Sequence, residues 1–457
     1  MDIAIIIGYF CGLLFIGGRS FKVIKETSSF FVANRSASFF LISGSLFATV
    51  IGGSSTIGMA GLGYKQGLVG SWWLLVGVIG LILLGLFLAR KIRAYSLYTL
   101  PEILQVQYGP EAKLVASALI VIAWTGIIAG QIVAAGKILG ALFSAPPSLL
   151  MIVTAFVFIL YTLLGGQHSV IRTDTIQSLI IIAAVLIAIP LSIEAAGGIP
   201  SMREALGADY FSFPVNAHFT WKSLITYLLL VGSSYLVGPD IYSRLFCAQD
   251  EKIAKGATLA VALALIPFAF MITTIGMSAK VLFPQISPEA AFPTMISHLF
   301  PTGLNGLIIA ALLAAMMSSA DTCLLTTSTI LSVDVIKPLV KTGISDKRLL
   351  VLSRFFVVMI GIVSLVVALH LKGVIASLLL GYTVYTSGLV LPILLGFYRK
   401  RLHLTTGGAI SAVVVGGGVA LVGKLLGYPD CGLYGFFLSG IVLITLSRIL
   451  PSKAKQS

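Results

Sequence analysis

One segment of the sequence gathers hydroxyl groups on a single side of a predicted helix. Four residues follow the spacing i, i+3, i+4 and i+7 that defines one helix face: Ala315, Ser318, Ser319 and Thr322. Oxygens gathered in this way suit a hard monovalent cation, because they replace its water shell without adding full charges. Asp321 lies in the same apolar run, where an ionisable residue is costly and usually functional. The alternative is that each hydroxyl bonds back to its own helix and binds no ion.

Two other apolar segments are interrupted by glycine, hydroxyl and proline residues. Gly52 and Gly53 lie inside segment 38–63, and Gly238 and Pro239 lie in segment 219–240. Glycine pairs are costly in a helix, and proline removes a hydrogen-bond donor. Close packing of helices through small residues is one explanation. The other explanation is that the helices are unwound there, and that their free backbone groups face protein or a watery cavity.

The composition indicates that these segments cross a membrane. The chain has 457 residues, of which 58% are hydrophobic and 10% are charged, whereas soluble domains carry roughly 25% charged residues. A membrane span needs about 20 mostly apolar residues. We therefore predict an all-α polytopic membrane protein with about thirteen spans. Their limits are 2–18, 38–63, 69–89, 114–143, 148–166, 174–196, 219–240, 256–281, 303–334, 349–370, 374–398, 405–426 and 432–449.

The net charge of +14 predicts orientation rather than a nucleic-acid partner. By the predicted spans, 23 of the 30 Lys and Arg residues fall on one side of the membrane, and such residues concentrate on the cytoplasmic side. The prediction is an outer N-terminus and a cytoplasmic C-terminus in a cell (plasma or inner) membrane. Residues 1–18 are expected to be a retained helix, because this apolar segment begins with Asp2 rather than with a basic segment.

The interrupted spans divide the chain into related parts. The second and seventh predicted spans lie five spans apart, and an odd number of spans per group inverts the second group. Two discontinuous helices in such positions are typical of the binding site of a transporter. We predict one transmembrane domain over 1–457, with a peripheral helix and loop at 1–37, inverted repeats at 38–196 and 219–398, and two further peripheral helices at 405–449.

Enzymatic and cofactor chemistry is not indicated. The four cysteines form no CxxC motif, the histidines lie in connectors or at span ends, and there is no HExxH motif. We expect no enzyme activity, no cofactor and no obligate partner protein.

The residues resemble the sodium:solute symporter family over nearly the whole chain. Four segments carry the resemblance, in the family's order: SFFVANRS at 29–36, the interrupted run at 45–61, GG followed by TDTIQ at 165–177, and AAMMSS at 314–319. The resemblance implies the LeuT-type fold, with two inverted five-helix repeats. It also implies that Na⁺ is the coupling ion and that a small organic solute is the cargo.

The resemblance also implies roles for individual residues. A sodium site would use the backbone carbonyls of Ala48, Ile51 and Ala315 and the hydroxyls of Ser318 and Ser319. Asp174 matches a family aspartate on the route of the cation to the cytoplasm, although it is also a candidate helix N-cap. Further candidates for lining the substrate path or gating it are Ser55, Gln131, Tyr235, Asp240, Asp321 and Tyr382.

The identity of the solute stays open. The third predicted span has no carboxylate at 72–76, where the family's sugar carriers use polar side chains, so an amino acid or a carboxylate-type solute is favoured over sugar. Asp240 could meet a substrate amine, gate the inner path or pair with Arg244 four residues on.

Three other functions compete with sodium-coupled uptake. A solute sensor derived from a transporter would be expected to carry a signalling domain, and the segment after the last span, 451–457, is short. A proton-coupled symporter of the same fold often places a lysine at the cation site, and none occurs there. A channel would not need two unwound helices.

Overall fold

The computed structural model describes residues 1–23, 26–140, 142–340, 344–370 and 373–449. Two parts of the sequence predictions lie outside these residues. They are segment 451–457, on which the argument against a sensor depends, and position 141 in the fourth predicted span. The described chain is helical throughout and contains isolated β-bridges but no sheet.

The helices are named α1 to α22 in chain order. They are α1 Asp2–Val23, α2 Thr27–Val32, α3 Phe39–Val50, α4 Met59–Gln66, α5 Trp72–Leu83, α6 Ala89–Ala94, α7 Pro101–Tyr108, α8 Pro110–Gly140, α9 Pro147–Ala195, α10 Gly198–Leu206, α11 Trp221–Tyr227, α12 Ser233–Leu236, α13 Pro239–Cys247, α14 Glu251–Leu282, α15 Ala291–Leu299, α16 Leu304–Thr329, α17 Lys337–Leu339, α18 Asp346–His370, α19 Val374–Gly396, α20 Arg399–Leu402, α21 Thr406–Leu425 and α22 Cys431–Ile449. Short π-helical segments at Ser54–Gly58, Leu84–Leu88, Leu228–Gly232 and Ile330–Ile336 join several of these into longer runs.

Ten helical runs in the described residues are long and apolar enough to cross a membrane. This confirms the all-α membrane class, whereas the number of thirteen spans stays a prediction. Run Ser54–Ala94 combines part of the second predicted span with the third, and Pro147–Ala195 combines the fifth with the sixth. Within the described part of α1, Asp2–Leu13 forms a shorter apolar helix.

Both predicted interruptions are present. Helix α3 ends at Val50, and Ile51 has φ −86° and ψ 94°, which is not helical. In the other span, α12 ends at Leu236 and Gly238 is extended. The span was predicted to end at 240, but the helical run continues to Cys247. The difference arises because Pro239, at the start of α13, begins a new helix instead of ending the span.

The core of the protein is built around the run Leu304–Leu339, which begins with α16. Nearly all of its apolar window is buried, and α16 contacts α1, α3, α8, α9 and α18. A helix that is apolar and buried on all sides in this way is a central element. The polar side chains of α16 are therefore held in fixed positions against several neighbouring helices.

Helix α9 turns at Gly166, inside one of the segments that carry the family resemblance. Gly166 has φ 54° and ψ −179°, a backbone conformation that is essentially restricted to glycine. A Cβ atom built there would lie 2.6 Å from Cδ2 of Phe30. Since Phe30 belongs to the 29–36 motif, this close approach brings two of the four family-like segments together.

We expect Gly166→Ala to destabilise the protein by about 1–3 kcal/mol, because alanine is strained in this conformation. The added methyl group would also displace Phe30. The measurement is the thermal unfolding temperature of the purified protein in detergent. Gly418→Ala is the control, since Gly418 is helical and has open space where its Cβ would lie. Equal unfolding temperatures for the two variants would contradict the prediction.

Candidate functional site

The interruption after α3 is stabilised by side chains that bond the freed backbone. Ser55 Oγ accepts from the Gly52 amide at 3.0 Å and donates to the Val50 carbonyl at 2.8 Å. The Gly53 amide donates to Gln131 Oε1 at 2.7 Å. Unpaired backbone groups at this depth would be costly. Ser55 and Gln131 were predicted to line or gate the substrate path. Their hydrogen bonds to the freed backbone give both residues a structural role.

Three of the five predicted sodium ligands lie in direct contact. Ser318 Oγ, on α16, is 2.9 Å from the Ala48 carbonyl oxygen and 3.0 Å from the Ala315 carbonyl oxygen. Ser319 Oγ donates to the Thr49 carbonyl at 2.8 Å. Two adjacent hydroxyls of α16 thus bond two adjacent carbonyls of α3.

The chemistry of this cluster fits a monovalent cation. All its members are neutral oxygens, and all the residues that carry them are buried. Ile51 is also fully buried and marks the end of α3. Thr49, whose carbonyl accepts from Ser319, was not among the predicted ligands, because every residue type has a backbone carbonyl.

Asp174 lies in a buried network next to this cluster. Its Oδ2 atom accepts from Ser45 Oγ at 2.6 Å and from Arg244 Nη2 at 2.9 Å. Arg244 Nη2 also bonds Thr322 Oγ1, which in turn donates to the Ser318 carbonyl at 2.8 Å. A continuous chain of contacts therefore joins the carboxylate on α9 to the hydroxyl cluster on α16.

Two alternatives considered for these residues are wrong. Asp174 is not a helix N-cap, because α9 continues beyond the turn at Gly166 and contains Asp174 in its interior. Arg244 forms its ion pair with Asp174 rather than with Asp240. Arg244 is fully buried, although sequence reasoning placed it in a solvent-facing connector. Its distance from Asp174 along the chain, 70 residues, left no local signal for this pair.

Asp321 faces a different neighbour from the hydroxyls around it. Its Oδ1 atom accepts from Thr162 Oγ1 at 2.7 Å, and its Oδ2 atom has no hydrogen-bond partner among the described residues. Asp321 does not border the cavity beside the hydroxyl cluster. The structure thus separates it from the other path and gate candidates.

A small cavity lies between the two interruptions. Four of the predicted path or gate residues border it: Gln131, Tyr235, Asp240 and Tyr382. Ser55 and Asp321 do not. Ser319 borders the cavity as well as contacting α3, so the cavity and the hydroxyl cluster share a side chain.

The lining of this cavity combines aromatic and polar groups. Trp124, Ile127, Ile241 and Cys323 provide apolar surface, and Ser234 and Ser54 add hydroxyl groups. Among the described residues that line it, Asp240 is the one acidic residue, and there is no Lys or Arg. Asp240 lies in the first turn of α13, where the helix dipole favours a negative charge.

Several known transporters are similar to this chain in sequence. The osmoregulated proline transporter OpuE of Bacillus subtilis is 28% identical over all of this chain and 97% of its own length. The sodium/proline symporter of Haemophilus influenzae is 26% identical over 98% of this chain and 94% of its own length. The human sodium/myo-inositol cotransporter 2 is 26% identical, over 80% of this chain and 60% of that protein.

Solved structures show the same fold. A Na⁺-coupled sialic acid symporter, in a substrate-bound outward-open state, matches with a TM-score of 0.83 at 20% identity, over 99% of this chain and 98% of its own. MhsT in complex with L-phenylalanine matches with a TM-score of 0.58 at 17% identity, over 90% of this chain and 99% of its own. These likenesses confirm the LeuT-type fold.

The sequence profile described as the sodium:solute symporter family matches residues 30–416. This range includes both interruptions, the hydroxyl cluster and every residue that lines the cavity. The chain therefore belongs to the sodium:solute symporter family.

Proposed function

We propose that the protein couples inward Na⁺ flow to the uptake of a small amino acid or a similar zwitterionic solute. The observation that carries the proposal is that Asp240 is the one acidic residue in a cavity lined by no described Lys or Arg. A partly buried carboxylate favours a cationic partner, and a substrate ammonium group would supply one. The proline transporters among the relatives, which match over nearly their full length, support an amino acid.

The proposed sodium site comprises the carbonyls of Ala48, Ile51 and Ala315 and the hydroxyls of Ser318 and Ser319. The support is the contact between the α16 hydroxyls and the α3 carbonyls. For Na⁺ to bind here, the hydroxyl protons turn away and the same oxygens face the ion. Na⁺ then takes over the role of these hydrogen bonds in holding α3 against α16.

Coupling follows from the position of Ser319. Because Ser319 borders the cavity and also bonds α3, an ion that fixes this side chain also fixes part of the solute site. Na⁺ therefore raises the affinity for the solute, and by linkage the solute raises the affinity for Na⁺ equally. The inward sodium gradient and the membrane potential supply the driving force.

We place Asp174 on the inner route of the ion, with Arg244 as its counter-charge. Arg244 is on α13, Asp174 is on α9 and Thr322 is on α16, so their contacts tie three helices together. In this proposal the contacts separate when the inner side opens by alternating access. The proposal also includes the inverted repeats at 38–196 and 219–398, an outer N-terminus and a cytoplasmic C-terminus.

For the sodium site, we expect Ser318→Ala and Ser319→Ala each to raise the Na⁺ concentration required for half-maximal uptake by about tenfold or more, because a hydroxyl ligand is lost. The measurement is solute uptake into proteoliposomes as a function of external Na⁺. Ser353→Ala is a matched control, since Ser353 is buried and bonds only its own helix, at the Leu349 carbonyl. Equal uptake in choline with a proton gradient would contradict sodium coupling.

For the solute, we expect Asp240→Asn to reduce amino-acid uptake by at least a hundredfold, because a charged partner of the ammonium group is removed. Na⁺-induced stabilisation against heat should remain. The control is Asp346→Asn, which also removes a carboxylate from the first turn of a helix but lies at the exposed start of α18. Proline, other amino acids, myo-inositol and glucose are tested with each variant. Sodium-driven uptake of a neutral polyol that survives Asp240→Asn would overturn the amino-acid assignment but not sodium coupling.

For the inner route, we expect Asp174→Asn to slow turnover more than it weakens Na⁺ and solute binding from outside. Removing one partner of a buried ion pair also destabilises a protein by about 3–5 kcal/mol. Arg244→Gln should therefore lower the unfolding temperature, and the double variant with Asp174→Asn should recover part of the loss. An unchanged turnover rate in Asp174→Asn would remove this residue from the ion's route.

A further inference from the structure

An open cavity far from the proposed transport site is lined by positive charge. It lies where α7, α19 and α22 end and α21 begins. Its lining includes five basic residues: Arg399, Lys400, Arg401, His403 and Arg448. Among the described residues of the lining there is no Asp or Glu.

No described acidic residue neutralises the exposed basic residues of this cavity. All 16 acidic residues of the chain lie within the described segments, and none of them forms an ion pair with Lys400, Arg401 or Arg448. These three side chains are exposed. Segment 450–457, which follows the last helix, contains two lysines and no Asp or Glu. The cavity therefore has an excess of positive charge that a bound anion would balance.

Arg399 differs from its neighbours because its position is fixed. It is half-buried, donates from Nε to the Leu404 carbonyl at 3.1 Å, bonds the Gln107 carbonyl through Nη1, and lies over the ring of Tyr108. The short helix α20 is thereby anchored to α7. The exposed side chains of Lys400 and Arg401 thus extend from a firmly held segment.

The start of α21 adds to the attraction for an anion. Thr405 caps this 20-residue helix through Gly408 and also lines the cavity. A helix N-terminus carries partial positive charge. The helix end reinforces the basic side chains in the same cavity.

The surroundings of the cavity favour a lipid over a soluble anion. Tyr398, Leu402 and Ile449 lie beside the basic residues and are exposed, with relative exposures of 57%, 40% and 69%. Helices α19, α21 and α22 are all apolar enough to span a membrane, so their ends lie at its surface. Tyrosine is typical of this interface, and the apolar side chains provide a surface for acyl chains. Basic cavities at the ends of membrane helices bind the headgroups of anionic lipids.

We propose that this cavity binds the phosphate headgroup of an anionic phospholipid, of the phosphatidylglycerol type, in the cytoplasmic leaflet. Lys400, Arg401 and Arg448 contact the phosphate, and the exposed apolar residues at the rim contact the acyl chains. The site is separate from the proposed sodium and solute sites, and its occupancy is measurable without any transport.

The test is native mass spectrometry of the full chain purified in detergent, with phosphatidylglycerol or phosphatidylcholine of identical acyl chains. We expect retention of phosphatidylglycerol in preference to phosphatidylcholine. The double variant K400Q/R401Q should weaken phosphatidylglycerol binding by about tenfold or more. The matched control is R90Q/K91Q, which removes two exposed basic residues at the end of another membrane helix.

Other outcomes overturn the proposal. Equal retention of the two lipids, or an equal loss in the control variant, would show that the cavity is not a specific lipid site. Glycerol 3-phosphate and inorganic phosphate are tested by thermal shift. Stabilisation by either of them as strong as that by phosphatidylglycerol would assign the cavity to a soluble anion. If K400Q/R401Q fails to fold, R448Q, which changes a different helix, has the same expected direction and the same overturning result.

Discussion

Backbone groups that are released inside a membrane must find hydrogen-bond partners within the protein, and the site of this transporter is organised by that requirement. The interruption after α3 leaves carbonyls without helical partners, and the hydroxyls of Ser318 and Ser319 on α16 bond two of them. On the other side of the break, Ser55 and Gln131 bond the freed amides. The same unwinding that has to be compensated provides neutral oxygens for a cation. Stability and the proposed ion binding thus involve one set of contacts.

The charged residues obey a similar constraint. Arg244 and Asp174 are both fully buried, and each would be costly without the other. Their pairing connects α13, which follows the second interruption, to α9 and to Thr322 on α16. Since α13 also carries Asp240 into the cavity, a movement of this helix would affect both the inner network and the solute site. In the alternating-access proposal, α13 is therefore the helix whose movement links the inner network to the solute site.

The cavity and the basic surface illustrate two uses of charge in a chain that has little of it. In the proposed solute site, one carboxylate lies in an otherwise neutral lining and is the proposed partner of a positive group on the solute. At the end of α19, several basic residues occur together without acidic partners, which suits the negative headgroups of a membrane. The single carboxylate acts through its position in the cavity, whereas the basic residues act through their number and their exposure.

The sequence by itself determined the membrane class, the two interruptions and the face of α16 that carries Ser318 and Ser319, because hydropathy and helical spacing are local properties. It also led to Gln131, Tyr235, Asp240 and Tyr382, which the structure brings to one cavity. Only the tertiary structure decided that Arg244 pairs with Asp174 and that Asp321 faces Thr162. The physical reason is that each of these partners is chosen by how helices pack, and residues 70 or 159 positions apart leave no trace of their contact in the local pattern.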